Sequence, residues 1–136
     1  MREVGRCPYT PYWHGVAALY AAAQGLLAEG LDAVCARHEA VARMCREGLT
    51  ALGLPQWPAP DAICAPTVTA ARVPQGWTWP AWRAALRQNG LIVAGSFGPM
   101  ADTVFRIGHM GTQADATLMV QALAAIKEAL TQPHTK

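Results

Sequence analysis

The stretch Phe105-Arg106-Ile107-Gly108-His109-Met110-Gly111 decides how the rest of the chain is read. Thr103-Val104-Phe105-Arg106-Ile107 reads as a strand, because Val104, Phe105 and Ile107 are β-favouring. Gly108 and Gly111 bracket a turn, and a helical pattern starts at Thr112. A guanidinium therefore sits inside an otherwise apolar strand. Arginine is almost never fully buried without a partner. Two readings are open from the residues alone. In one, Arg106 lies on an edge strand, its stem along the sheet and its head in water. In the other, a rigid strand holds Arg106 to take a carboxylate through a two-pronged hydrogen bond.

Outward from that stretch, the elements fall into a simple order. Residues 91–94, Leu91-Ile92-Val93-Ala94, read as a strand that follows the Asn89-Gly90 turn. Gly95-Ser96-Phe97-Gly98-Pro99 is a loop without the spacing of a phosphate-binding glycine motif. Upstream, Thr78 can cap a helix over residues 79–88, with Pro80 in its first turn and Trp79, Trp82, Ala85 and Leu86 on its buried face. Trp77, Trp79 and Trp82 have core spacing and do not suggest an aromatic ligand cage. Thr67-Val68-Thr69-Ala70-Ala71-Arg72-Val73 alternates as a strand. Downstream, Thr112 is expected to cap the last helix, with Asp115 completing a capping box and Leu118, Leu123, Ile126 and Leu130 facing the core.

Two long helices precede this unit. The first, from Tyr12 or Trp13 to Glu29, is rich in alanine and leucine and apolar nearly all round, which calls for cover from outside the chain. Gly30 ends it. The second, over residues 31–52, carries Leu31, Val34, Cys35, His38, Val41, Cys45, Leu49 and Leu52 on one stripe, with Arg37, Glu39, Arg43 and Arg46 largely on the other side. His38 is expected to be a packed, hydrogen-bonded histidine, Gly48 to weaken the helix and Gly53 to cap it. The expected fold is α+β: a small, mostly antiparallel sheet with helices packed on one face, preceded by two long helices.

Composition narrows the function classes. With 136 residues the chain is one domain by length. It is 52% hydrophobic and only 15% charged, where about 25% charged is usual, so some apolar surface is expected to meet another domain or subunit. A net charge of +2 without a basic block argues against nucleic acid. No apolar run has the length of a membrane span, and Arg2, Glu3 and Arg6 do not open a secretory signal. Cys7, Cys35, Cys45 and Cys64 lack metal-ligand spacing, so no metal is expected, and free thiols suit a cytoplasmic location.

Several ordered motifs then carry a family resemblance from about Tyr9 to Leu130. They are Thr10-Pro11 before the first helix, Glu29-Gly30-Leu31, Arg37-His38-Glu39, Ala51-Leu52-Gly53-Leu54, Pro66-Thr67-Val68-Thr69 and, above all, Phe105 to Gly111. Together they resemble the C-terminal part of class V aminotransferases, fold-type I enzymes that use pyridoxal 5'-phosphate, and most of all the alanine–glyoxylate and serine–pyruvate branch. The resemblance implies that Arg106 receives the substrate α-carboxylate. It implies that Thr10 contacts the cofactor phosphate of a neighbouring subunit in a homodimer. Family members usually carry a tyrosine three positions before that threonine; here Cys7 stands there, and Tyr9 is the nearby candidate.

The family's Schiff-base lysine, and the aspartate that pairs with the pyridine nitrogen, belong to a large domain upstream. This chain has only Lys127 and Lys136. The expectation is therefore a small domain over residues 13–132, with an extended segment at 1–12 and a tail at 133–136. It would be a fragment or truncated product, inactive without its large domain, from an enzyme moving an amino group from alanine or serine to glyoxylate or pyruvate. A pyridoxal-phosphate lyase or desulfurase parent is a related option. The alternative from another class is a free-standing, non-catalytic module that binds a carboxylate or dimerises.

Overall fold

A computed structural model describes residues 9–132. Cys7, the residues before Tyr9 and the expected tail with Lys136 lie outside them. The chain divides into two units at the Cys35–Ala36 bond. The first holds helix α1 (Trp13–Glu29) and the first turn of α2 (Leu31–Ala51). No residue of α1 is buried, and Trp13, Val16, Leu19, Tyr20 and Leu27 are all exposed. Leu31 and Cys35, placed on the apolar stripe of α2 by their spacing, are exposed as well, since nothing within their own unit covers them.

The second unit contains the rest of α2, then β1 (Val68–Arg72), α3 (Trp79–Gln88), β2 (Ala94–Gly95), β3 (Val104–Gly108) and α4 (Ala116–Thr131). The three strands form an antiparallel sheet in the order β1-β3-β2. Ala71 pairs with Phe105 and Thr69 with Ile107, and all four are buried. That face meets Val41, Cys45 and Leu49 of α2, Trp82, Ala85 and Leu86 of α3, and Met119, Ile126 and Ala129 of α4 in one apolar cluster. Trp82 lies at its centre, edge-on to Trp77 at 5.3 Å and to Phe105 at 6.0 Å. The expected α+β layer is therefore present.

Two glycine caps set the helix ends. Gly53 adopts φ +73°, and the bonds Gly53 N–H to Thr50 O and Leu54 N–H to Leu49 O close α2 in a Schellman motif. Gly90, at φ +81°, closes α3 in the same way, through Gly90 N–H to Arg87 O and Leu91 N–H to Leu86 O. This second cap corrects the expected strand over residues 91–94. Leu91 spends its N–H on the helix end, and only Ala94 and Gly95 pair with β3.

The start of α4 also differs from expectation. A 3₁₀ turn, Gly111–Gln113, intervenes, and the cap is Asp115, whose carboxylate accepts from Leu118 N–H at 2.9 Å. Starting the helix at Ala116 puts Met119, not Leu118, into the core; Leu118 is 40% exposed.

Gly48 has a packing reason. A Cβ there would collide with the Leu123 methyl groups, so the side chain of α4 packs where α2 has none. Gly48→Ala should gain about 1 kcal/mol of helix propensity but lose ~1–3 kcal/mol to overpacking, for a net loss. In a Leu123→Ala background the same change should stabilise by about 1 kcal/mol. Urea unfolding of the four proteins in this cycle checks the change of sign.

Candidate functional site

Arg106 lies on the central strand, which corrects the edge-strand reading. Side chains alternate along a strand, so burying Phe105 and Ile107 sends Arg106 to the opposite face of the sheet. Its partners in register are Ala70 on β1 and Ala94 on β2. Two alanines leave room for the long side chain to cross the sheet. Arg106 Nε donates to Gly95 O at 2.9 Å, and Cζ stands 5.2 Å from the centre of the Phe97 ring. Among the described residues no carboxylate is paired with Arg106, which is half-buried.

Arg106 borders an open cavity of about 300 Å³, lined also by Val68, Thr69 and Ala70 of β1, by Gln56, Trp57 and Cys64 of the preceding loop, and by Arg46 of α2. Trp57 N–H donates to Ala70 O, and Gln56 bridges Ala71, so this loop closes the outer edge of β1. Arg46 Nη2 donates to Ala65 O at 2.9 Å. The charged groups of the lining are two guanidinium ions, and the rest of it is largely apolar. A larger opening of about 460 Å³, between the segment after α3, the end of β3 and α4, is lined by Asn89, Gln113, Gln121 and apolar residues and carries no charge.

The turn after Arg106 is tied down from two directions. Arg37 Nη1 donates to Gly111 O at 2.8 Å and to Ala114 O at 2.7 Å, and His38 Nε2 accepts from Gly111 N–H at 3.0 Å. The Arg37-His38 pair of the sequence motif is thus a clamp on the Gly108–Gly111 turn, reaching over 70 positions along the chain. His38 is packed and hydrogen-bonded, as expected. His109 is fully buried, and its N–H bonds Thr67 O. The Pro66 carbonyl lies 3.1 Å from His109 Nδ1 and can only accept, so Nδ1 carries the proton and Nε2 accepts from the Thr69 hydroxyl at 2.9 Å. Cys45, also buried, shares Thr69, and burial raises its thiol above the usual range. It is an inert core thiol.

Tyr9 and Thr10 belong to the other unit, where both are exposed. Sequence reading did not single out Arg46, Cys64 or Arg37 as neighbours of the site. The only available signal was the surplus of arginine on α2, and periodicity alone assigns such residues to solvent.

The fold is thus an α+β domain that raises a half-buried guanidinium from the middle strand of a small sheet, beside a cavity that Arg46 also lines. Comparison with known proteins gives the class its family. Pyridoxamine–pyruvate transaminase of Mesorhizobium japonicum is 39% identical over 124 residues, covering 90% of this chain and 32% of that protein. L-aspartate–glyoxylate aminotransferase of Paracoccus denitrificans is 36% identical, covering 80% of this chain and 28% of that protein. The crystal structure of pyridoxamine–pyruvate aminotransferase from Mesorhizobium loti superposes with a TM-score of 0.87 at 38% identity, over 92% of this chain and 32% of that one. No family model matches the chain. The chain belongs to the class V aminotransferases and corresponds to their C-terminal domain. It spans about a third of the length of these relatives.

These aminotransferases depend on pyridoxal phosphate. Lys127, the one lysine among the described residues, is exposed on α4 and does not line the Arg106 cavity. Among the described residues there is also no cluster fit to hold a metal ion, and no helix long and apolar enough to cross a membrane.

Burial holds His109 below the ordinary histidine value, with Arg46 and His38 acting in the same direction and the Pro66 carbonyl bond opposing. The unfolded chain, with a histidine value of about 6.5, therefore takes up a proton before the folded one does. The contribution of His109 to stability is complete above about pH 6.5 and is lost as pH falls through the folded value. Urea midpoints should drop between about pH 7.5 and pH 5, and His109→Asn should reduce that slope.

Proposed function

We propose that this chain is the carboxylate-anchoring part of a pyridoxal-phosphate aminotransferase that moves an amino group from a small amino acid, such as alanine or serine, to a 2-oxo acid such as glyoxylate or pyruvate. One observation carries the reading: Arg106 projects from the central strand beside a cationic cavity, without an acidic partner among the described residues. The names of the relatives support the substrate class, since pyruvate and glyoxylate are both 2-oxo acids. A planar, permanently charged fork suits a carboxylate and fixes its orientation as well as its position.

In this reading residues 13–132 are the small domain, residues 1–12 an extended lead-in and 133–136 a tail. The whole enzyme is a cytoplasmic homodimer, and its large domain supplies the reactive lysine. Thr10 and Tyr9 meet the cofactor phosphate of the neighbouring subunit; their exposure leaves both side chains available for it. The bare apolar surface of α1 supports cover by parts of the enzyme outside this chain.

Pyruvate titrated into the chain, followed by calorimetry or by NMR, tests the anchor. Arg106→Gln should weaken binding by about ten- to a hundredfold, as expected for losing a charge-assisted pair of hydrogen bonds. Equal affinity of the two proteins would remove Arg106 from the site. The chain mixed with pyridoxal phosphate, alanine and glyoxylate should show no turnover; turnover would mean that the lysine is not missing after all.

A further inference from the structure

We infer that Phe97 is a positioning residue for Arg106: its ring and the Gly95 carbonyl together hold the guanidinium so that only its two Nη groups face a ligand. The inference rests on the reading of Arg106 as the carboxylate anchor and concerns how that anchor is aimed. A guanidinium offers five N–H donors, one on Nε and two on each Nη. The Nε donor is already spent on Gly95 O at 2.9 Å. A side-on fork that uses Nε is therefore closed, and the end-on fork formed by Nη1 and Nη2 remains.

Phe97 closes a further direction. Its ring centre lies 5.2 Å from Cζ, within the range of cation–π attraction, and covers one face of the cation. Phe97 is 76% exposed, so core packing does not explain a large apolar side chain there. Its place is set by a stiff loop. Gly98 adopts φ +56°, Pro99 fixes its own φ, and Met100 N–H returns to Phe97 O at 3.2 Å. Both restraints on Arg106 thus come from one short segment, Gly95 and Phe97, that leads out of β2. A free arginine side chain has rotamer entropy to lose, and fixing the group beforehand reduces what the ligand must overcome on binding.

The experiment is a pyruvate titration of the chain by NMR, observing the Arg106 Nε–H resonance, assigned by its loss in Arg106→Gln. Wild type, Phe97→Leu and Phe97→Tyr are compared. Phe97→Leu should weaken pyruvate binding about two- to fivefold, the loss expected for an exposed cation–π contact, and Phe97→Tyr should restore it. The Nε–H should also exchange with water faster in Phe97→Leu before any ligand is added, a change that a merely structural role would not produce. If wild type binds pyruvate and Phe97→Leu matches it in both affinity and exchange, Phe97 does not position Arg106, while the anchor stands. If wild type shows no response to pyruvate, the anchor itself fails and the inference with it.

Discussion

The pleat of β3 allows one arrangement. With Phe105 and Ile107 in the core, Arg106 has to leave on the other face. A slip of one residue against β1 would expose both apolar side chains, at ~1.5–3 kcal/mol each, and drive a charged group inward, at several kcal/mol more. The hydrophobic effect thus orients the polar residue. The cluster around Trp82 and Phe105 is what places the guanidinium, although no member of it is charged. Gly95 links the two sides. A Cβ there would press on the Trp79 indole at 3.0 Å, so a bare backbone lets the core close while its carbonyl holds Arg106.

The turn beyond β3 is built on a second principle. Buried polar groups are used there, and each is satisfied: Arg37 and His38 reach from α2 to the backbone of Gly111 and Ala114, and His109 joins Pro66 to Thr69. Hydrogen bonds of this kind fix geometry more than they add net stability. They tie the end of β3 to both β1 and α2, so that the strand carrying Arg106 has little freedom to slide. The motifs Arg37-His38-Glu39, Pro66-Thr67-Val68-Thr69 and Phe105 to Gly111, far apart in the chain, meet in this one network.

Helix spans and the central motif were legible because local rules govern them. Thr78 caps α3 and Gly53 ends α2 through residues a few positions away. The misreadings arose where distant parts of the chain compete for the same backbone groups. Leu91 looked like a strand residue, but its N–H is taken by the end of α3. Thr112 looked like a cap, but Arg37, from α2, holds the Gly111 and Ala114 carbonyls in a tighter turn and moves the helix start to Ala116. The candidate site divides along the same line. Arg106 stands out as a charge within an apolar strand, whereas the cavity beside it exists only after α2 and the loop before β1 have folded around β1, and no spacing in the sequence announces that.

Helix α1 brings the energetics and the chemistry to the same point. Most helices in proteins owe their stability to the face they bury rather than to propensity. Here no residue is buried, although Trp13, Leu19, Tyr20 and Leu27 could each return ~1.5–3 kcal/mol on full burial. The relatives are about three times as long as this chain. On the proposed function, the part that covers α1 is also the part that brings the lysine to a carboxylate held by Arg106. On that proposal the guanidinium is in place before that part arrives, because the core beneath β3 sets the face it leaves from and the Gly95 carbonyl holds its Nε.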